Sequence, residues 1–131
     1  LLETADVVSL HVPLNDSTRK MINADALGRM KPKAILINTC RGEVVDEPAL
    51  VDALKRGRIL AAGLDTQEKE PADSTNPLLT LPNVTLTPHT AGPTVDSFRK
   101  RFRNGYANIQ RVSQGQPPLW VIPEMRDLFP D

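Results

Sequence analysis

The sequence predicts an α/β fold built on a doubly wound parallel sheet, in which four short strands alternate with helices. Three observations predict it. Four short apolar runs, at residues 7–12, 34–38, 59–64 and 84–86, are separated by helical or loop-forming stretches. The runs are almost continuously apolar and rich in β-branched residues, as strands buried on both faces by helices are. Polar residues gather at or just past the ends of these runs, namely His11, Asn38, Arg41, Asp65 and His89. In a parallel sheet those ends share one edge, and ligands bind there.

The first run, VVSLHV, stops at Pro13, which removes a ladder donor and restricts its predecessor. A polar, turn-prone stretch follows, and Asn23 then offers an N-cap to a helix over 24–30 that Lys31 and Pro32 close. AILIN makes the second strand, with 39–45 as its exit loop. Asp46 caps a helix reaching about residue 56, with Pro48 in its first turn and Gly57 where a left-handed C-cap is wanted. ILAAGL is the third strand, its small residues 61–63 allowing close approach of a neighbouring layer, and Asp65 stands at its end. Residues 66–82 are too irregular for an element and long for a connection, a combination common in functional loops. A fourth strand at 84–86 leads into ThrProHis, and a helix over 94–114 follows, ended by Gly115. Its Phe98, Phe102, Tyr106 and Ile109 form a stripe expected to pack in the core. The proline-rich tail from 116 is expected to run extended over another part of the molecule.

With 131 residues, one domain is expected, and 40% hydrophobic against 24% charged residues describes a folded globular chain rather than a disordered one. Sixteen Lys plus Arg balance sixteen Asp plus Glu, so no overall field favours nucleic acid or an anionic membrane. The basic cluster Arg99, Lys100, Arg101 and Arg103 reads as the solvated face of a helix. The single Cys40 has no internal disulfide partner, which fits a reducing, cytoplasmic setting. No apolar run is long enough to span a bilayer, and the first residues do not resemble a signal peptide. The absent initial Met and the start of the chain within what reads as a helix's last turn lead us to expect a truncated chain, a fragment of a longer parent.

Arg41 precedes Gly42 in a loop, and a guanidinium there can grip a carboxylate bidentately and polarise a carbonyl oxygen, or serve as an ordinary surface ion-pair partner. His89 lies on a constrained loop between Pro88 and the small pair Ala91 and Gly92, where an imidazole suits proton transfer or structural hydrogen bonding. Glu70 can orient that imidazole and stabilise its protonated form, or simply be solvated. Asp65 can accept from an amide NH2 or cap the next turn. Residues His11, Glu70 and His89 lack the spacing of common zinc motifs, so no metal is expected. No Ser occupies a GxSxG elbow.

Taken in order, ADVVSLHVPLNDSTRKMIN, INTCRGEVVDEPALVDAL, GLDTQEKEP and NVTLTPHTAG resemble the C-terminal motifs of the D-isomer-specific 2-hydroxyacid dehydrogenases, over nearly the whole chain to Gly115. The resemblance implies the C-terminal half of a Rossmann-like doubly wound sheet. It assigns residues 1–115 to the dinucleotide-binding domain with its catalytic residues, and 116–131 to an extended tail. It also implies that Arg41 binds the substrate's carboxylate and carbonyl, that His89 exchanges the proton with the 2-oxygen, and that Glu70 holds and tunes His89. Asp65 should contact the nicotinamide carboxamide of NAD or NADP. His11, Pro13, Thr39 and Cys40 should line the cofactor cleft, with Gly92 near its nicotinamide end. The implied substrate is a small 2-keto or 2-hydroxy acid, and the implied full-length parent is a homodimer.

Three departures stand out. Thr66 and Gln67 follow Asp65 where the family usually carries an aromatic or apolar pair, and Glu68 is a second acid close to Glu70, which is chosen for its EP dipeptide and its spacing of five from Asp65. The sequence also contains no GxGxxG turn to hold a pyrophosphate. Two alternatives therefore accompany the enzyme reading: an inactive truncated fragment, and a non-catalytic dinucleotide-sensing protein of the same ancestry.

Overall fold

A computed structural model describes residues 1–129; of the expected tail, Pro130 and Asp131 lie outside the described residues. Contacts divide the chain into two compact units, Leu1–Gly92 and a second beginning at Pro93.

The first unit runs β1 (Val7–Leu10), α1 (Ala24–Arg29), β2 (Ile35–Asn38), α2 (Glu47–Lys55), β3 (Ala61–Leu64) and β4 (Val84–Leu86). The four strands form one parallel sheet in the order β1-β2-β3-β4. This is the parallel α/β architecture that the alternating apolar runs predict.

Side-chain polarity places each helix end. Asn23 accepts the Ala26 amide at 3.0 Å to start α1. Asp46 caps α2, Pro48 occupies its first turn, and Gly57 follows it with a left-handed φ of 64°. The core joins Val8, Leu10, Leu36, Ala62 and Leu64 of the sheet to Leu27 of α1, Met30 just beyond it, and Leu50 and Leu54 of α2.

Burial alternates along β1, β2 and β3, so one face of the sheet is covered and the other is partly open. That differs from the cover on both faces expected of a doubly wound sheet. Strands in simple sequential order joined by right-handed crossovers carry their helices on the same side. The small Gly63 also serves a different neighbour than expected. A Cβ there would stand 2.9 Å from Ile37 Cδ1, so it makes room for the adjacent strand rather than for another layer.

Residues 66–82 are irregular apart from a 3-10 turn at Pro77–Leu79, which Asn76 caps and which buries Leu78. A second short turn, Gly42–Val44, lies in the loop after β2.

The second unit holds α3 (Val95–Ser113), opened by a reciprocal Thr94–Ser97 cap. The tail lies against this helix, with Asn108 bonded to the Leu119 amide and the Trp120 carbonyl and Arg111 to the Pro117 carbonyl, before a 3-10 segment at Pro123–Leu128. The expected core role of the aromatic stripe is not met. Helix α3 buries no residue, and Phe102, Tyr106 and Ile109 are 71%, 63% and 68% exposed. Helical spacing specifies that an apolar face exists, but not that the same chain covers it. Among the described residues, no helix is long and apolar enough to cross a membrane.

Candidate active site

Polar residues at or just past the ends of β2 and β3 organise the loops around the site. Asn38, 1% exposed at the end of β2, donates to the Arg41 carbonyl at 2.8 Å and accepts the Cys40 amide and thiol, both at 3.1 Å. These bonds fold 39–41 back on the strand end and leave Thr39 and Arg41 exposed. The Arg41 guanidinium donates to the Cys40 carbonyl at 2.7 Å, and no ion pair engages it among the described residues. An exposed, unpaired guanidinium is ready for an anionic ligand.

Gly42 locks this loop to the next. A Cβ there would lie 1.9 Å from the backbone carbon of Gln67, so only glycine permits the two loops to meet as they do. Beyond that contact, the Gln67 amide donates to Glu70 Oε1 at 3.0 Å. Glu70 Oε2 in turn meets His89 Nδ1 at 2.8 Å. Glu68 turns elsewhere, to Lys20 at 3.3 Å. A carboxylate only accepts, so Nδ1 is the donor in this pair, and Nε2 lies outside it. The hydrogen bond from His89 holds the Glu70 carboxyl below its ordinary value, overcoming burial, with the Gln67 amide adding to the effect. Glu70 and His89 stand beside a cavity of about 410 Å³ whose apolar wall includes Pro71, Ala72, Leu79 and Leu86.

Asp65, at the end of β3, is 3% exposed and accepts three bonds: Thr87 Oγ1 at 2.5 Å, the Thr90 amide at 2.8 Å and the Ala91 amide at 2.9 Å. Burial opposes its ionisation, but the Thr87 hydroxyl, the Ala91 and Thr90 amides and the nearby His89 outweigh burial and hold the carboxyl below its ordinary value. His89 itself has φ 54°, the left-handed region.

The remaining expected residues lie along the same edge. His11 follows β1 and bonds Ser9 Oγ through Nε2 at 2.8 Å. The Pro13 carbonyl accepts the Thr18 hydroxyl at 2.6 Å. Gly92 is exposed, and a Cβ there would meet nothing within 4 Å. Arg41 and His89 lie on the loops that leave β2 and β4, on either side of β3. Asn38 was among the polar residues expected at the strand ends, though without its loop-folding bonds, whereas the structural work of Gly42 and Thr87 escaped sequence reasoning. A polar residue just past an apolar run was the available signal for Thr87.

Residues 1–91 match the family described as D-isomer specific 2-hydroxyacid dehydrogenase, NAD binding domain. A glyoxylate reductase of Thermofilum pendens is 44% identical over 131 residues, covering 99% of this chain and 39% of the relative. The chain thus spans about two fifths of the length of the curated relatives it matches. The crystal structure of the TT0316 protein from Thermus thermophilus superposes with a TM-score of 0.84 at 42% identity, over 90% of this chain and 38% of that one. A Lactobacillus jensenii D-lactate dehydrogenase solved with NAD+ gives 0.82 at 37% identity, over 92% and 40%. With the family matched over most of its length, the chain belongs to the D-isomer specific 2-hydroxyacid dehydrogenases and carries residues of their NAD binding domain.

Proposed function

We propose that the polypeptide carrying these residues interconverts a small 2-keto acid and its D-2-hydroxy acid using NAD or NADP. The observation that carries this reading is the His89–Glu70 pair at the end of β4, with an unpaired Arg41 on the loop after β2. A 2-keto acid presents a carboxylate beside a carbonyl, and the fork of Arg41 suits both, binding the first and polarising the second. His89 exchanges a proton with the 2-oxygen through Nε2, the nitrogen turned away from Glu70. Glu70 orients the ring and stabilises the imidazolium formed when a hydroxyl is oxidised. The apolar wall beside this pair accommodates the substrate's side chain, and relatives named glyoxylate reductases make glyoxylate the first substrate to try.

The exposed edge fits the nicotinamide end of a dinucleotide. Gly92 has open space where a side chain would stand and no left-handed φ, so the fold itself makes no demand for glycine there. Close approach of a ligand supplies one. His11, Pro13, Thr39 and Cys40 border the same edge, and Asp65 keeps one acceptor position beyond its three bonds for a carboxamide. When bound, the nicotinamide supplies or accepts the hydride at the substrate's C2. We assign residues 1–115 to this dinucleotide-binding part and 116–131 to a C-terminal tail, within a cytoplasmic homodimer; the balanced charge and single cysteine support that setting.

The test is NAD(P)H-dependent reduction of glyoxylate by the polypeptide as its gene encodes it. Arg41→Ala and His89→Ala should each lower kcat/KM by about a hundredfold or more. Undiminished turnover in both variants overturns the reading. The 39% coverage favours a second reading for the 131 residues taken alone, that they neither bind nicotinamide cofactor nor turn over. Calorimetric titration of this chain with NADH decides it, since measurable binding refutes that reading.

A further inference from the structure

Thr87 plays no part in the chemistry above, yet it sits at the joint that aims His89. Its amide donates to the Leu64 carbonyl at 3.0 Å, the last backbone bond joining the chain after β4 to β3. Its hydroxyl reaches the buried Asp65 carboxylate at 2.5 Å. The other two donors to Asp65 are the amides of Thr90 and Ala91, so the three contacts bracket Pro88 and His89 on both sides. Between these anchors the chain reverses sharply, with the His89 amide bonded to the Thr87 carbonyl at 3.0 Å and His89 at φ 54°. A non-glycine residue in that region costs about 1 kcal/mol or more and persists only where its surroundings enforce it. Asp65 is the enforcing group, and Thr87 is its one side-chain donor among the described residues.

We propose that Thr87 is a positioning residue, whose hydroxyl on the buried Asp65 carboxylate fixes the left-handed turn that delivers His89 Nδ1 to Glu70. A hydrogen bond to an ionised, buried acceptor is among the stronger single contacts a hydroxyl can make. Proline at 88 stiffens the link, because its fixed φ leaves few ways for the chain to relax between Thr87 and His89. The catalytic consequence rests on the reading of His89 as the acid–base group, whereas the mechanical claim does not.

The chain itself serves for the test, with Thr87→Val and Thr87→Ala as hydroxyl-free variants and Thr87→Ser as the rescue. Two readouts are followed: the carboxyl 13C titration of Glu70 by NMR, and hydrogen exchange of the Thr90 and Ala91 amides. Removing the hydroxyl should move the Glu70 midpoint upward, because the contact with His89 that holds it low is loosened. It should also cost those amides about tenfold in protection. Thr87→Ser should restore both. Glu70 and both amides behaving as in the parent chain, in either folded hydroxyl-free variant, overturns the proposal. Should Thr87→Val loosen Glu70 while His89→Ala leaves turnover of the encoded polypeptide intact, the positioning role stands and the catalytic reading falls.

Discussion

Thr66 carries a buried hydroxyl with no hydrogen-bond partner among the described residues. An orphaned buried hydroxyl loses its water and gains nothing in return, so Thr66→Val should raise stability by about 1 kcal/mol in urea denaturation. An unchanged or lower midpoint would show that the hydroxyl finds a partner. Asp65 and Glu70 both titrate below their ordinary values, so each contributes stability that is complete above the unfolded value and lost as pH falls through the folded one. Unfolding free energy should therefore decline as pH drops from 6 into the carboxylate range, about 4 and below. The decline should be shallower in Glu70→Gln, and an identical slope in parent and variant counts against the His89 contact. The EP dipeptide and its spacing from Asp65 single out Glu70 over Glu68, and Glu70 is the acid bonded to His89 while Glu68 meets Lys20. Spacing could not show Thr87 on Asp65, because that bond depends on β3 and β4 lying side by side with Leu64 opposite Leu86, a pairing no local pattern states.

Among the elements, helix starts were the most legible, since Asn23 and Asp46 each carry the oxygen that a first turn requires, and the helix expected from Thr94 begins one residue later with Thr94 as its cap. The 3-10 turns at Gly42–Val44 and Pro77–Leu79 were not, because a three-residue turn has no periodicity to read and is set by what packs on it. The loop-to-loop contact at Gly42 was hidden for the same reason. Two glycines on neighbouring parts of the edge should consequently answer differently to the same change. Gly42→Ala places a methyl group onto the Gln67 backbone and should destabilise the chain by about 3 kcal/mol. Gly92→Ala meets nothing within the chain and should leave stability unchanged or raise it by about 0.5 kcal/mol. If a nicotinamide ring does approach Gly92, the same substitution weakens cofactor binding by the encoded polypeptide. Equal destabilisation by both substitutions would contradict the loop contact; unaltered cofactor affinity in Gly92→Ala would remove Gly92 from the site.

At the scale of the molecule, the parallel sheet followed from alternating apolar runs, but the strand order and the extent of burial did not. A stripe spaced by three and four residues shows that α3 has an apolar face, and α3 leaves Phe98, Phe102, Tyr106 and Ile109 all exposed. β1 adds a second open surface, an edge strand with Val7 55% exposed and one row of backbone donors and acceptors free of sheet partners. Contiguous apolar surface of this kind costs free energy in water and is relieved by association. Basic side chains flank the stripe through Arg99 and Arg103, so added acids on the stripe change its polarity without adding to an existing like-charge field. The 131-residue chain should therefore self-associate with rising concentration, read as an increasing mean mass in sedimentation or light scattering. Phe102→Glu together with Ile109→Glu should lower that mass at equal concentration while leaving the unit from Leu1 to Gly92 folded, since α3 contributes no buried residue. Association that persists undiminished in the double variant would point to the β1 edge as its cause, where a charge introduced at Val7 should then abolish it.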